Sequence, residues 1–169
     1  MRFLAIQYHK ENHKKCTLTP LRNHPDVEIQ VLRPGPSGYP PFWIEAGILL
    51  AVGAPPLDHS DRAILDADPG NRVVLIDGNW VKVPGILRAL RARGPLVHRS
   101  LPEGIRTAYP RRSKMFVDPA GGLATVEAMA AAGAILGEPD PELLAGYTWR
   151  EEFLRLNAHL FGPPAAVVE

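Results

Sequence analysis

Asp77 and Trp80 stand three residues apart at the end of the run Val73-Val74-Leu75-Ile76-Asp77-Gly78-Asn79-Trp80. In an open α/β sheet, ligands bind beyond the carboxyl ends of the strands. A carboxylate there binds a ligand ammonium or takes a proton, an indole covers a purine, and Gly78 allows close backbone approach. The same residues also read, more plainly, as an Asp in a turn and a Trp in the core. A second group is His13-Lys14-Lys15-Cys16-Thr17. Cys16 is the sole cysteine, and without a partner it reads as a small buried hydrophobe rather than a nucleophile. His13 and Cys16 make only half of a four-ligand zinc site, so no metal is expected. The third group is Gly121-Gly122-Leu123-Ala124-Thr125-Val126-Glu127. A Gly pair feeding a helix start leaves backbone N–H groups that suit a carboxylate or phosphate. Ordinary capping by Thr125 explains these residues equally well.

Charge supplies a fourth feature. From Lys82 to Lys114 nine basic residues face one acid, Glu103, a net +8 over 33 residues in a chain whose total is +1. A basic segment in a neutral chain is the footprint expected for a phosphate backbone. Arg88 and Arg91 lie three apart on an expected helix and so share a face. Arg99, Arg106, Arg111, Arg112 and Lys114 lie on Pro-broken chain, where side chains can fan along an RNA strand. His98 and Tyr109 add stacking surfaces. The plainer alternative is a solvated surface balanced by Asp66, Asp68 and the acidic C-terminal helices.

The elements that must position these groups follow from periodicity. Arg2–Tyr8 and Val27–Leu32 read as strands, and Pro34 to Pro41 as a loop. Ala46–Val52 and Val73–Ile76 are short unbroken apolar runs, the pattern of strands covered on both faces. Between them Ser60-Asp61 starts a helix, which predicts a strand–helix–strand unit. Pro84–Ala92 reads as a helix, and Arg93 to Gly122 resists assignment. Thr125–Leu136 is an Ala-rich helix, Pro141–Ala145 a helical turn, and Trp149–Phe161 a last helix with Phe153, Leu156 and Leu160 on one stripe.

The totals bound the answer. The 169 residues suit one domain, expected over 1–161 with a flexible tail over 162–169. With 18 Pro and 15 Gly, short elements and fixed turns are expected rather than long helices. A lone cysteine excludes a disulfide framework. No leader and no spanning run is seen, which makes the cytoplasm the default address and excludes a membrane partner. No coiled-coil pattern is present, and a monomer is expected.

Taken in order, these pieces resemble the small-subunit rRNA aminocarboxypropyltransferases. Lys14-Lys15-Cys16-Thr17 is similar to that family's Lys-Lys-Cys-Thr signature. Leu50-Ala51-Val52 and His59-Ser60-Asp61 stand where it has Leu-Ser-Pro and Ser-Pro-Ala-Asp. Asp77-Gly78-Asn79-Trp80 resembles its Asp-Cys-Ser-Trp, and Arg99-Ser100-Leu101-Pro102 its Arg-x-Leu-Pro. Leu123 to Ala128 resembles its Leu-Ser-Thr-x-Glu-Ala helix, and Trp149 to Asn157 its Trp-x-x-x-Phe-Leu-x-Leu-Asn pattern. The collinear likeness spans about residues 8 to 161. The family's Asn-Pro-Val-Asn-Tyr-Gly stretch is missing. Tyr109-Pro110-Arg111-Arg112-Ser113-Lys114 stands there instead, more like the DTW-domain enzymes that act on tRNA uridine.

The resemblance implies a SPOUT-like α/β fold, a parallel sheet flanked by helices with a trefoil knot. It implies S-adenosylmethionine as donor of a 3-amino-3-carboxypropyl group to a uridine or pseudouridine. The partner implied is rRNA or a pre-ribosomal particle, alternatively tRNA. Thr17 and Thr125 match positions that hold the donor carboxylate through their hydroxyls, Asp77 the acid near its amino group, and Trp80 the residue over the adenine. Leu50 and Val52 match the opposite wall, Val52 replacing the usual Pro, and Ile76 completes the donor-binding set. Asp77 is the one candidate for catalytic assistance. An RNA methyltransferase on the same fold and a non-catalytic ribosome-assembly factor are the alternatives.

Overall fold

A computed structural model describes residues 1–10, 16–110 and 122–162. The expected tail falls almost wholly outside these residues.

Strands β1 (Phe3–Tyr8), β2 (Val27–Leu32), β3 (Phe42–Ile44), β4 (Gly47–Leu50), β5 (Arg72–Asp77), β6 (Leu90–Ala92) and β7 (Leu96–Arg99) alternate with α1 (Arg62–Asp66) and α2 (Val83–Ala89). Helices α3 (Thr125–Ile135), α4 (Arg150–Leu156) and α5 (Ala158–Phe161) follow. The main sheet has the order β2-β1-β5-β4-β7, and every neighbouring pair is parallel. Parallel pairing demands crossovers, and these put helices on both faces. One face carries Phe3, Ala5, Val27, Ile48, Val73 and Leu75 against α3 and the C-terminal helices. The other carries Leu4, Ile6, Leu49 and Val74 against Ile86 of α2. Burial on two sides is why the strands read as continuous apolar runs. The α/β class, the parallel sheet and the strand–helix–strand unit from β4 to β5 are therefore as expected. No helix among the described residues is long and apolar enough to cross a membrane.

Gly47 shows how closely β4 and β5 approach. Its φ is +137°, and a Cβ there would lie 2.1 Å from the Arg72 carbonyl oxygen. Only glycine fits.

Two expectations are corrected, and one unassigned stretch gains a strand. The helix expected to Ala92 ends at Ala89, because Leu90 turns extended and Leu90–Ala92 pairs in parallel with Phe42–Ile44. Arg91 therefore lies on a strand and shares no helix face with Arg88. The unassigned stretch contains β7, an edge strand whose half-exposed residues lack a strong pattern. The last helix breaks at Asn157, whose fully buried side chain serves backbone elsewhere.

Candidate functional site

The central strands β1 and β5 end side by side, with Gln7 and Asp77 in register. Partners in parallel register point to one face, so the two polar side chains meet under the C-terminal edge of the sheet. Both are buried, Gln7 to 1% exposure and Asp77 to 8%. Gln7 Nε2 donates to Asp77 Oδ2 at 2.9 Å and lies 3.1 Å from Cys16 Sγ. The Cys16 thiol donates to the same oxygen at 3.6 Å. On the other side the Thr125 hydroxyl donates to Asp77 Oδ1 at 2.6 Å. Arg22 Nη2 donates to Gln7 Oε1 at 3.4 Å, which fixes the amide with its NH2 towards Asp77. Gln7, Cys16 and Thr125, the donors to the carboxylate among the described residues, are all neutral. The negative charge is thus oriented but not cancelled by them, a suitable seat for a ligand ammonium. Gly78 packs beside the strand end, where a Cβ would come 3.0 Å from that of Tyr8.

Thr125 is placed by a second buried network. Glu127, with 0% exposure, accepts from its own helix start at Ala124 N (2.9 Å) and from Tyr147 Oη (2.9 Å). It also accepts from Thr107 Oγ1 (2.7 Å) and Ala108 N (2.8 Å). Burial and the Glu127 charge push the Tyr147 phenol far above its ordinary range. Asn157 Oδ1 accepts from Arg106 N while its Nδ2 donates to the Arg106 carbonyl, each at 2.8 Å. Glu127 and Asn157 together pin the irregular stretch from Arg106 to Ala108 across the start of α3. Tyr109 then meets Trp149 edge-on at 5.1 Å.

The sequence-derived candidates divide. Asp77 and Thr125 are in direct contact, and Thr17 is half-buried in the turn that follows Cys16. Leu50 ends β4 on the same face and packs on that core. Trp80 is half-buried in the turn after β5. Val52 is 68% exposed, and Ile76 packs on the opposite face with Tyr8 and Leu87. The Thr125 hydroxyl gives its one proton to Asp77, so it has none for a second carboxylate. The backbone N–H groups at the start of α3 are the donors left for an anion there. Cys16 is not simply a small hydrophobe, since it is half-buried and joined to Gln7 and Asp77. A thiol that donates into a carboxylate is poorly set up as a thiolate nucleophile. Beside β1 the rim is positive: burial, Lys10 and Arg33 all press the His9 imidazole below its usual range.

Of the basic candidates, Arg88, Arg91 and Arg106 are exposed. Arg111, Arg112, Lys114, Gly121 and the His13-Lys14-Lys15 stretch lie outside the described residues. Arg99 is taken by an internal ion pair. Its Nε lies 2.9 and 2.8 Å from the two carboxylate oxygens of Asp61, which is 5% exposed, and its Nη1 donates to the His98 carbonyl at 3.0 Å. A guanidinium so engaged is not free for phosphate. Arg99→Ala is expected to cost about 2 kcal/mol of stability, the scale of hydrogen bonds to a charged group. Chemical denaturation measures this.

Sequence reasoning gives no role to Gln7, Glu127 or Asn157, although the last two stand in its motifs. The first had a legible signal: a lone amide inside Phe-Leu-Ala-Ile-Gln-Tyr is costly to bury without partners. Gln7→Leu is expected to lower affinity for a ligand ammonium seated on Asp77 by about tenfold, through loss of a charge-assisted bond. Cys16→Ser keeps a donor at that place and should stay within about threefold. Calorimetric titration reads both, and equal affinities for Gln7→Leu and wild type would sink the role of the amide. Elsewhere, a groove lies between the turns Thr19–Asn23 and Pro141–Leu144, lined by Leu21, His24 and Asp140. There His24 pairs with Asp140 at 3.3 Å, and the site around Asp77 is the richer in convergent polar groups. Among the described residues no cluster of His, Cys, Asp or Glu could hold a metal ion.

No family model and no curated protein matches the chain. Among solved structures, the chain is similar to the SAM-dependent rRNA:acp-transferase Tsr3 from Vulcanisaeta distributa. The TM-score is 0.64 at 24% identity, covering 95% of this chain and 83% of that one. The two chains share their fold.

Proposed function

We propose that the protein is an S-adenosylmethionine-dependent transferase. It moves the 3-amino-3-carboxypropyl group to a uridine or pseudouridine of RNA, with small-subunit rRNA during ribosome biogenesis as the first candidate. One observation carries this reading. Three stretches that resemble the family's motifs, Cys16-Thr17, Asp77 to Trp80, and Leu123 to Ala128, converge on one buried carboxylate. Cys16 Sγ and Thr125 Oγ1 lie 3.6 and 2.6 Å from Asp77. The likeness in fold to a transferase of that chemistry supports the reading, and so does the position beyond the strand ends. The trefoil knot, a single domain over 1–161, a monomeric state and a cytoplasmic location belong to the same reading.

The residues fit the donor. Asp77, bonded only to neutral groups among those named, suits the amino group. The start of α3 suits the carboxylate, with Thr17 nearby. Trp80 and Leu50 offer apolar surface for the adenine, with Val52 at the exposed margin. The donor supplies a sulfonium-activated carbon, and the pocket decides which of its three carbons the nucleotide meets. Asp77 and the backbone at Thr125, by holding the amino and carboxylate ends, fix the carboxypropyl arm in place, and such positioning supplies most of the rate. Asp77 is also the candidate to take a proton from the uracil ring nitrogen. Arg88, Arg91 and Arg106, with Arg111, Arg112 and Lys114, are the cations offered to the RNA backbone.

The deciding experiment uses donor labelled in the methyl group in one arm and in the carboxyl group in the other. Each is incubated with the protein and with RNA from a strain lacking the gene. Carboxyl label in the RNA without methyl label is the expected result. Methyl label alone makes the protein a methyltransferase, and neither makes it a non-catalytic factor.

A further inference from the structure

Trp43 is an indole 56% exposed to solvent, and it belongs to neither core cluster. It lies on β3, in register with Arg91 of β6. Along these two strands Phe42, Ile44, Leu90 and Ala92 all face the core. Alternation therefore sends Trp43 and Arg91 outward together, side by side on one face. Arg91 is held in place, because its Nη1 donates to the carbonyls of Arg88 (2.6 Å) and Leu90 (2.8 Å) at the end of α2. Arg88 is itself exposed and adds a second cation. The nearby carboxylates are already matched, Glu28 by Arg72 and Glu45 by Arg93 at 3.8 Å. The surplus around the indole is positive.

From this juxtaposition we infer that Trp43 and Arg91 form a stacking platform for an unpaired base of the RNA, with Arg88 and Arg91 on the adjoining phosphates. An exposed aromatic beside fixed guanidinium groups is the arrangement that grips single-stranded nucleic acid without reading its sequence. The inference rests on the proposed RNA substrate and adds a contact surface to it. β3 and β6 precede β4 and β7 in the chain, so the platform sits towards the N-terminal ends of the strands, away from Asp77. It anchors the strand at a distance from the reacting nucleotide, and should act on affinity rather than on turnover.

Two kinds of contact leave different marks on salt dependence. Stacking releases no counterions, whereas each phosphate contact on a single strand contributes a slope of ~0.7. The test is fluorescence anisotropy with a labelled single-stranded oligouridine of about twelve nucleotides, across a salt series, with thermal melts as a folding control. Trp43→Ala is expected to bind about tenfold more weakly with the slope unchanged. Trp43→Phe should recover most of that loss. Arg91→Ala should weaken binding and flatten the slope by ~0.7. If wild type binds the probe and Trp43→Ala binds equally well, the platform is wrong and the RNA reading stands. If wild type binds neither this probe nor ribosomal RNA at low salt, the RNA reading fails and the platform with it. A self-association lost in Trp43→Ala at unchanged RNA affinity would make the patch an interface between copies, and overturn the proposal.

Discussion

Asp77→Asn is expected to weaken S-adenosylmethionine binding by at least about a hundredfold, while the protein melts close to wild type without donor. The loss is large because the carboxylate is 8% exposed and a ligand ammonium would meet it out of water. Removing one partner of a buried charge pair costs about 3–5 kcal/mol. Asparagine keeps the shape and can still accept from Gln7, while the Thr125 hydroxyl turns to accept from the new amide. What it removes is charge. Asp77→Ala should lose donor binding as well, with some stability, since the Gln7 amide and the Thr125 hydroxyl then lose their acceptor. Calorimetric titration reads affinity and a thermal melt reads the fold. Unchanged donor affinity in a folded Asp77→Asn protein would leave Asp77 a structural residue and remove the centre of the proposed site.

The second large effect is on stability. Glu127→Ala is expected to cost about 3–5 kcal/mol, the penalty for stripping a buried charge network of its acceptor. Four donors converge on that carboxylate: two backbone N–H groups, the Thr107 hydroxyl and the Tyr147 phenol. Against a domain stability of about 5–15 kcal/mol, the alanine variant is close to unfolding. Glu127→Gln provides the gentler measurement. Its single acceptor oxygen can replace one carboxylate oxygen, but the other becomes an NH2 facing the Ala124 N–H, which cannot accept. A loss of roughly 1–3 kcal/mol is expected from urea denaturation. A Glu127→Gln midpoint equal to wild type would show that the network does not hold the start of α3.

Much of the framework was legible along the chain. The unbroken apolar runs around Ile48 and Val74 read as strands because the sheet is covered on both faces. The Ala-rich run from Thr125 reads as a helix because small side chains allow close packing of a helix that is buried on most sides. The Asp77 to Trp80 group was legible too, since an apolar strand delivers it to the edge where ligands bind. Where the reading fell short, the deciding partner was distant. Leu90–Ala92 has helix-forming residues, yet pairing with Phe42–Ile44 draws it into a strand. Asn157 looked like one more residue of a last helix until the Arg106 backbone claimed its side chain. Arg99 counted as a free cation until Asp61, 38 residues earlier, took its guanidinium.

The sequence by itself determined the class of fold and the strand end that bears Asp77, because periodicity and side-chain size act over a few residues at a time. Only the tertiary structure decided what surrounds that carboxylate. Gln7 lies 70 residues from Asp77, Cys16 61 and Thr125 48, and they meet it because β1 pairs with β5 and α3 packs across the same face. Hydrogen-bond partners are chosen by proximity after the chain has folded, and no spacing in the sequence encodes them.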